Sequence, residues 1–567
     1  MLERCEHTRL SALMCAALTA LTLAGGRLAA QPVRGIGDDA LTAPRGGIRI
    51  QVSTSIADAN QRYGRNTPGR ANGSREPLGI DFTLDTLGVA QFPGLAAAQT
   101  ALRTLTGNPA FTLNLGRSSL SSNIQTQTTP ILLEAGVTDR LSLSVLVPLV
   151  SVRNEAAFNI NSSATGRGNV SFNPARESDA SVANNQLLIT QLNTARDQLA
   201  ALLASCTANP SSNASCASVI ATAPSITSNA TAFTQGITQI YGTTRRGGAA
   251  FVPFGGSAAD SAIRSRVNTF RTQFQLFGIT ALAATTVGPS RATAAMTPDG
   301  FQRIVTDSTV GLLAEPLGRI TRQGLGDVEV AVKLRLFDSF GTRSDTIRFL
   351  PRGVNVRQSI AGAYRLGTGT IDRPDNLLDV STGDGQNDLE VRSFTDIIIG
   401  QRFFTSFIAR YTVQMADQLI RRVTDQPEQV FAPQYRERLV DRKLGNQLEV
   451  ELTPRWTISD YFSIGAQYLF RNRAEDTYSG TFAVPVSETG LLAPLTLNAS
   501  TLGFETAASE QRLGWGLTFS SLAAFARGKA KFPIELQYFN SRTVAGSGGA
   551  VQKLSIHQLQ MRLYPRL

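Results

Sequence analysis

Alternation of apolar and polar residues dominates this chain, and a pair of runs near residue 140 shows it most cleanly. Ile131 and Leu133 lead into Gly136-Val137-Thr138-Asp139-Arg140. Then Leu141, Leu143, Val145, Val147 and Leu149 return on every second position, with Ser142 and Ser144 between them. A period of two means a strand with one apolar and one polar face. Many such strands in one exported chain predict an all-β fold: a transmembrane antiparallel β-barrel of about twelve strands, with hydrocarbon outside and a wet interior.

The alternation predicts strands over 47–55, 122–135, 141–152, 326–337, 352–366, 389–399, 403–415, 447–456, 462–470, 512–519, 532–539 and 554–567. In the clearest, Val328, Val330, Val332, Leu334 and Leu336 face one way, and Asp327, Glu329, Lys333 and Arg335 the other. Extra strands near 78–87 would raise the count to fourteen, which stays open as the alternative. Short turns at 136–140, 337–345, 400–402, 457–461 and 521–530 alternate with long connections at 56–121, 153–325, 367–388, 416–446, 471–511 and 541–552. Outer-membrane barrels place short turns in the periplasm and long loops outside. An even strand count follows, because both ends of the barrel then lie on the short-turn side. Trp456, Tyr461, Phe462, Phe470, Trp515, Phe519, Tyr538 and Tyr564 gather near strand ends, the depth at which aromatic girdles sit.

Residues 1–30 read as a secretion signal. Arg4 and Arg9 start it, an apolar run spans 10–25, and Leu28-Ala29-Ala30 precedes Gln31. Export together with barrel strands predicts the bacterial outer membrane, with membrane lipid and lipopolysaccharide as neighbours. Formal net charge is +11; the signal removes three arginines and two glutamates, leaving +10. The basic residues are spread over many strands and carry no nucleic-acid motif, so no nucleic-acid partner is expected.

The chain divides into the signal at 1–30, the start of the barrel with a long first outer loop at 31–152, an insertion at 153–325, and the rest of the barrel at 326–567. The insertion is too long for an ordinary loop. Helical spacing over 179–203 and 257–282 predicts a partly helical subdomain, and 92–105 predicts a short helix in the first long loop. The subdomain either caps the barrel outside, plugs its lumen, or binds a partner. Cys206 and Cys216, ten residues apart in an exported chain, predict a disulfide.

Charge on the polar phase of the strands is the main functional signal. Asp327, Glu329, Lys333, Arg335, Arg357, Glu390, Arg392, Asp396, Arg410, Glu449, Glu451, Arg455, Arg471, Arg512, Glu535 and Arg562 are expected to line the lumen. An Arg or Lys facing hydrocarbon near mid-bilayer costs about 2–4 kcal/mol, so these residues must face inward. Such a lining either selects solutes or fills a narrow barrel with ion pairs. No catalytic residues, metal site or cofactor are expected. Of two histidines, His7 leaves with the signal and His557 falls on an apolar strand phase. No pair of histidine ligands for zinc and no phosphate-cradling glycine loop is present. Asp372, Asp375, Asp379, Asp384 and Asp388 crowd one long loop. Their spacing does not match a calcium-binding EF-hand loop, and a solvated turn is the favoured reading.

Two segments carry a family resemblance. TPILLEAGVTDRLSL at 129–143 resembles a PxxLEYGVTDRLSL-type hairpin, and GLGDVEVAVKLR at 324–335 resembles a GLGDxExxxKYRL strand; GDGQNDLE at 383–390 fits the same pattern. Together they resemble the outer-membrane proteins named for the meta-pathway of phenol degradation, a family of proposed transporters. The resemblance covers the strand skeleton from about residue 120 to the end, without the insertion. Leu567 departs from a common barrel pattern, standing where a terminal Phe is frequent. The resemblance implies a barrel that admits small, often apolar or aromatic solutes. The expected function is therefore passive passage of small solutes across the outer membrane, without covalent chemistry. The alternative is a non-conducting structural or adhesive barrel whose long loops bind a partner.

Overall fold

A computed structural model describes residues 38–64, 71–163, 166–211, 214–307, 312–339, 353–400, 402–426, 429–489, 493–526, 528–548 and 551–564. The export signal at 1–30, most of the 337–345 turn and Leu567 lie outside the described residues.

Twelve strands close on themselves. They are β1 (Ile48–Ala59), β2 (Ser118–Gly136), β3 (Leu141–Ile160), β4 (Val328–Asp338), β5 (Val354–Leu366) and β6 (Asp388–Ile399). The second half is β7 (Phe403–Gln414), β8 (Gln447–Thr457), β9 (Phe462–Arg473), β10 (Ala508–Ser520), β11 (Ile534–Ser547) and β12 (Ser555–Leu563). Each pairs antiparallel with its neighbours in sequence, and β12 pairs with β1, from Ile50 opposite Leu563 to Asp58 opposite Ser555. Closure leaves the ring without a free edge, so its backbone groups bond within the wall, which hydrocarbon requires. All twelve strands read from the alternation are present. The fourteen-strand alternative fails: Ile80–Phe82 is a single helical turn, and Leu87–Gly88 pairs with Asn114–Gly116 outside the barrel.

The wall is offset beside β3. The segment Ile320–Leu325 pairs with β3 at 149–154, and β4 then pairs with β3 at 141–146. Between them Gly326 donates to the Pro148 carbonyl at 2.8 Å. The Asp327 carboxylate accepts backbone N–H groups of Gly369 at 2.8 Å and Asp384 at 3.0 Å. Asp327 thus pins the 367–387 loop to the wall.

The outer face is apolar in rows. Across β3 and β4, Leu141 meets Leu334, Leu143 meets Val332 and Val145 meets Val330, with Val147 and Leu149 above. Five rows two residues apart span about 27 Å along a strand, or about 20 Å along the barrel axis at a tilt near 40°. Above them the outer face turns polar: Arg542, Ser555, Asp58, Gln125 and Arg153 follow one another across β11, β12, β1, β2 and β3. At the short-turn end Trp456 lies edge-on to Phe403, and Phe519 packs with Tyr461 and Phe462.

The connections at the long-loop end share one core. Helices α1 (Ala96–Thr106), α2 (Asp179–Ala208), α3 (Cys216–Tyr241), α4 (Ala258–Gln275) and α5 (Pro298–Thr306) pack with Phe82, Phe92, Phe158, Leu378 and Phe431. Cys206 and Cys216 form the disulfide that joins α2 to α3. Strands β2 and β3 continue beyond the apolar rows into this core, where Leu120, Phe158 and Ile160 are buried. The first loop, the insertion and the 367–388 and 416–446 connections therefore form one cap.

Candidate functional site

The barrel interior is built by the polar phase of the strands. Toward the long loops, the ion pairs run from strand to strand. Arg392 reaches Glu390 on its own strand and Glu329 on β4 at 2.5 Å, while Arg365 on β5 bonds Asp388 at 3.0 Å and Glu390 at 3.2 Å. Arg410 on β7 joins Glu449 and, at 2.9 Å, Glu451 on β8. Arg471 on β9 then bonds Glu449 at 2.7 Å, and Arg512 and Glu510 extend the chain onto β10. Charges left alone in such a site would each carry a desolvation cost of several kcal/mol, and pairing offsets it.

Nearer the short turns, Arg357 lies 3.2 Å from Asp338 and 3.4 Å from Asp396. Arg562 bonds Glu535 at 2.8 Å, and Arg49 pairs with Glu134. Arg455 donates to the Ser463 hydroxyl at 2.6 Å. Arg335 sits at the rim, against Asp338 and the Asp139 carbonyl of the first short turn.

Of the sixteen expected lining residues, fourteen take part in these contacts, Lys333 bonds the segment described below, and Asp327 instead anchors a loop. Arg49, Glu134, Arg365 and Glu510 join them; the first three lie on the polar phase of expected strands, whereas Glu510 fell in the expected 471–511 connection and lies on a strand that begins earlier, at Ala508. Asp38 and Asp39 also join and carried no periodic signal.

Those two aspartates belong to the segment 38–43, which enters the barrel from the short-turn end. Gly46 adopts φ 69°, a left-handed turn that favours glycine, and its N–H donates to the Gly136 carbonyl at 2.9 Å. Gly136 must also be glycine, because a Cβ there would lie 1.9 Å from the Pro44 carbonyl. The chain thereby turns back from β1 into the lumen. The Ala43 N–H donates to Glu134 at 3.1 Å and the Ala40 N–H to Asp396 at 3.1 Å. The Ser359 hydroxyl donates to the Ala40 carbonyl, and Lys333 to the Asp39 carbonyl. Ala40 is fully buried against Ala361, Phe394 and Ile408. A cavity of about 280 Å³ remains beside the segment, lined by barrel strands and by Asp38 and Asp39, with none of the insertion's described residues.

Outside the ring the acidic loop is answered by arginines. Asp372 pairs with Arg421, Asp375 with Arg422 at 2.9 Å, and Asp379 with Arg322 and Arg373. Burial pushes the Asp384 carboxyl up from its ordinary range. Burial also opposes ionisation of Asp379, but the Arg322 guanidinium and the N–H groups of Arg373 and Val380 outweigh it and hold that carboxyl low. His557 lies on the outer face, with Nδ1 2.9 Å from the Tyr538 hydroxyl.

Comparison with protein-family models and with curated proteins gives no match. Among solved structures, the COG4313 outer membrane channel from Pseudomonas putida F1 aligns over 94% of this chain and 100% of its own, at 9% identity and TM-score 0.40. The CymD monoaromatic hydrocarbon channel aligns over 92% and 89%, at 7% identity and TM-score 0.26. The translocator domain of the autotransporter NalP from Neisseria meningitidis aligns over 99% and 97%, at 6% identity and TM-score 0.26. These overlaps are loose, and it is the chain's own strand ladders that establish a closed twelve-stranded antiparallel barrel around a charged, partly filled interior.

Proposed function

We propose that this protein is an outer-membrane channel for passive passage of small solutes, exported by the signal at 1–30. Its short turns face the periplasm and its cap faces the exterior. The observation that carries this reading is the sorting of charge by a sealed ring. Outward positions form an apolar band, whereas sixteen or more ionic groups occupy the inner face. Only a hydrocarbon surround rewards that arrangement on every strand. The polar row at Arg542, Asp58, Gln125 and Arg153 meets lipid and lipopolysaccharide headgroups at the outer boundary.

The segment 38–43 closes the periplasmic half of the lumen, and solutes pass when it withdraws. Ala40→Cys with Ala361→Cys, two residues of one small buried cluster, tests this directly in planar bilayers. The oxidised pair is expected to hold the channel shut, and reduction to restore discrete conductance. A folded wild-type barrel that never conducts, oxidised or reduced, would refute the reading. One observation favours a second reading, a non-conducting scaffold for the cap: ion pairs and the segment fill much of the lumen, and the cavity beside the segment is about 280 Å³. Conductance that is absent in every variant lacking the segment would support that scaffold.

A further inference from the structure

We propose that the cavity beside the segment 38–43, together with the adjoining space that Asp38, Asp39 and Ala40 fill, forms a binding site for a small organic acid with an apolar body when the segment withdraws. The inference rests on the channel reading and names the class of solute.

Charge around the cavity divides unevenly between wall and segment. The wall supplies five cations, Arg49, Lys333, Arg392, Arg410 and Arg562. It supplies three carboxylates, Glu134, Glu329 and Glu451. Asp38 and Asp39 add two carboxylates on the segment side, while Glu390, Glu449 and Glu535 behind the lining pair with Arg392, Arg410 and Arg562. Lys333 is the decisive residue. Arg49, Arg392 and Arg410 each hold a carboxylate of the wall, and Arg562 holds Glu535. Lys333 is 8% exposed, and its partners are the Asp38 carboxylate at 3.4 Å, the Asp39 carbonyl and the Phe394 ring at 4.0 Å. Withdrawal of the segment takes both oxygens away and leaves the ammonium beside an aromatic ring with no carboxylate bonded to it. A fixed cation in a narrow channel attracts an anion to the place the segment has left.

The space that Ala40 fills says what body the anion carries. Ala40 packs where Phe394, Ile408 and Ala361 converge, and the Ser359 hydroxyl donates to its carbonyl. The segment therefore presents two acids beside a small apolar group, and the wall presents an ammonium and a hydroxyl beside an apolar floor. A monocarboxylate with a small ring or short alkyl body satisfies both halves at once. A neutral hydrocarbon satisfies only the floor, and an inorganic anion only the ammonium.

The test uses full-length protein in planar bilayers with sodium benzoate as probe. Asp38→Asn with Asp39→Asn removes two negative charges without emptying the space. Two charges seen through water at roughly 8 Å raise anion occupancy by about fivefold. A potassium chloride gradient should therefore show the double variant to be anion-selective, and millimolar benzoate should reduce its chloride current. Adding Lys333→Gln should abolish the benzoate effect. A double variant that conducts without preferring anions, or benzoate block that survives Lys333→Gln, overturns the inference while leaving the channel reading intact. A folded protein that never conducts overturns the channel reading. The site is then judged by thermal unfolding in detergent. Benzoate must raise the midpoint of the double variant but not that of the variant also carrying Lys333→Gln; no such difference overturns it.

Discussion

Val145 sits in the third of five apolar rows on β3, opposite Val330, with two rows on either side. Two rows are about 13 Å along the strand, or about 10 Å along the membrane normal at a tilt near 40°. Val145 therefore lies near mid-bilayer, and at 40% exposure its side chain has no protein cover that hides it from lipid. Val145→Arg should cost about 2–4 kcal/mol, whereas Leu141→Arg, at the edge of the same face, should cost about 0–1 kcal/mol because the guanidinium reaches headgroups. Both substitutions introduce the same charge on the same strand and disturb no inward contact, so their difference isolates depth in hydrocarbon. Reversible urea unfolding from lipid vesicles measures it. Equal effects at the two positions would refute the placement of this face in a bilayer.

Three further outcomes follow from other contacts. Glu535→Ala removes a carboxylate 2.8 Å from Arg562; the loss should be about 3 kcal/mol, near the lower bound for breaking a buried pair, because Gln51 still accepts from Arg562 at 2.9 Å. Unfolding in vesicles reads that loss, and a change under about 0.5 kcal/mol would mean the pair is solvated. Gly136→Ala places a methyl against the Pro44 carbonyl, 1.9 Å from the ideal Cβ, and should dislodge the segment and raise conductance in planar bilayers. Unchanged conductance would separate that turn from closure. Asp379 is held ionised in the fold, so its contribution is present above the ordinary carboxylate pKa of about 3.9 and is lost as pH falls through the lowered value. Hydrogen exchange in the 370–388 loop should therefore rise below about pH 4 in the wild type and already be high at neutral pH in Asp379→Asn.

The barrel was legible because each of its strands meets two solvents. On β4, Val330 and Val332 face one and Glu329 and Lys333 the other, and the alternation records that contrast residue by residue. It fades where the contrast ends. The upper parts of β2 and β3 rise into water and the cap, so 118–121 and 153–160 lack a clean period, and the strands run longer than the pattern shows. Helix α3 was missed for a related reason: Pro224 interrupts its reading, and its small residues are buried on several sides. The charged lining was legible from phase alone, but its pairing was not, since Arg392 meets Glu329 across 63 residues. The lumen segment had no signal. Gly37-Asp38-Asp39-Ala40 has no period, and only the tertiary contacts with Lys333, Ser359 and Asp396 give it a place.

The central claim is that lipid touches alternate side chains of a closed ring whose other face is ionic. Single cysteines from Glu329 to Leu336, spin-labelled in lipid vesicles, test it residue by residue along β4. Collision with oxygen, which concentrates in hydrocarbon, should peak at 330, 332, 334 and 336 and fall at 329, 331, 333 and 335. Equal collision at successive positions, or access of a water-soluble relaxant to 330 and 332, would contradict the account.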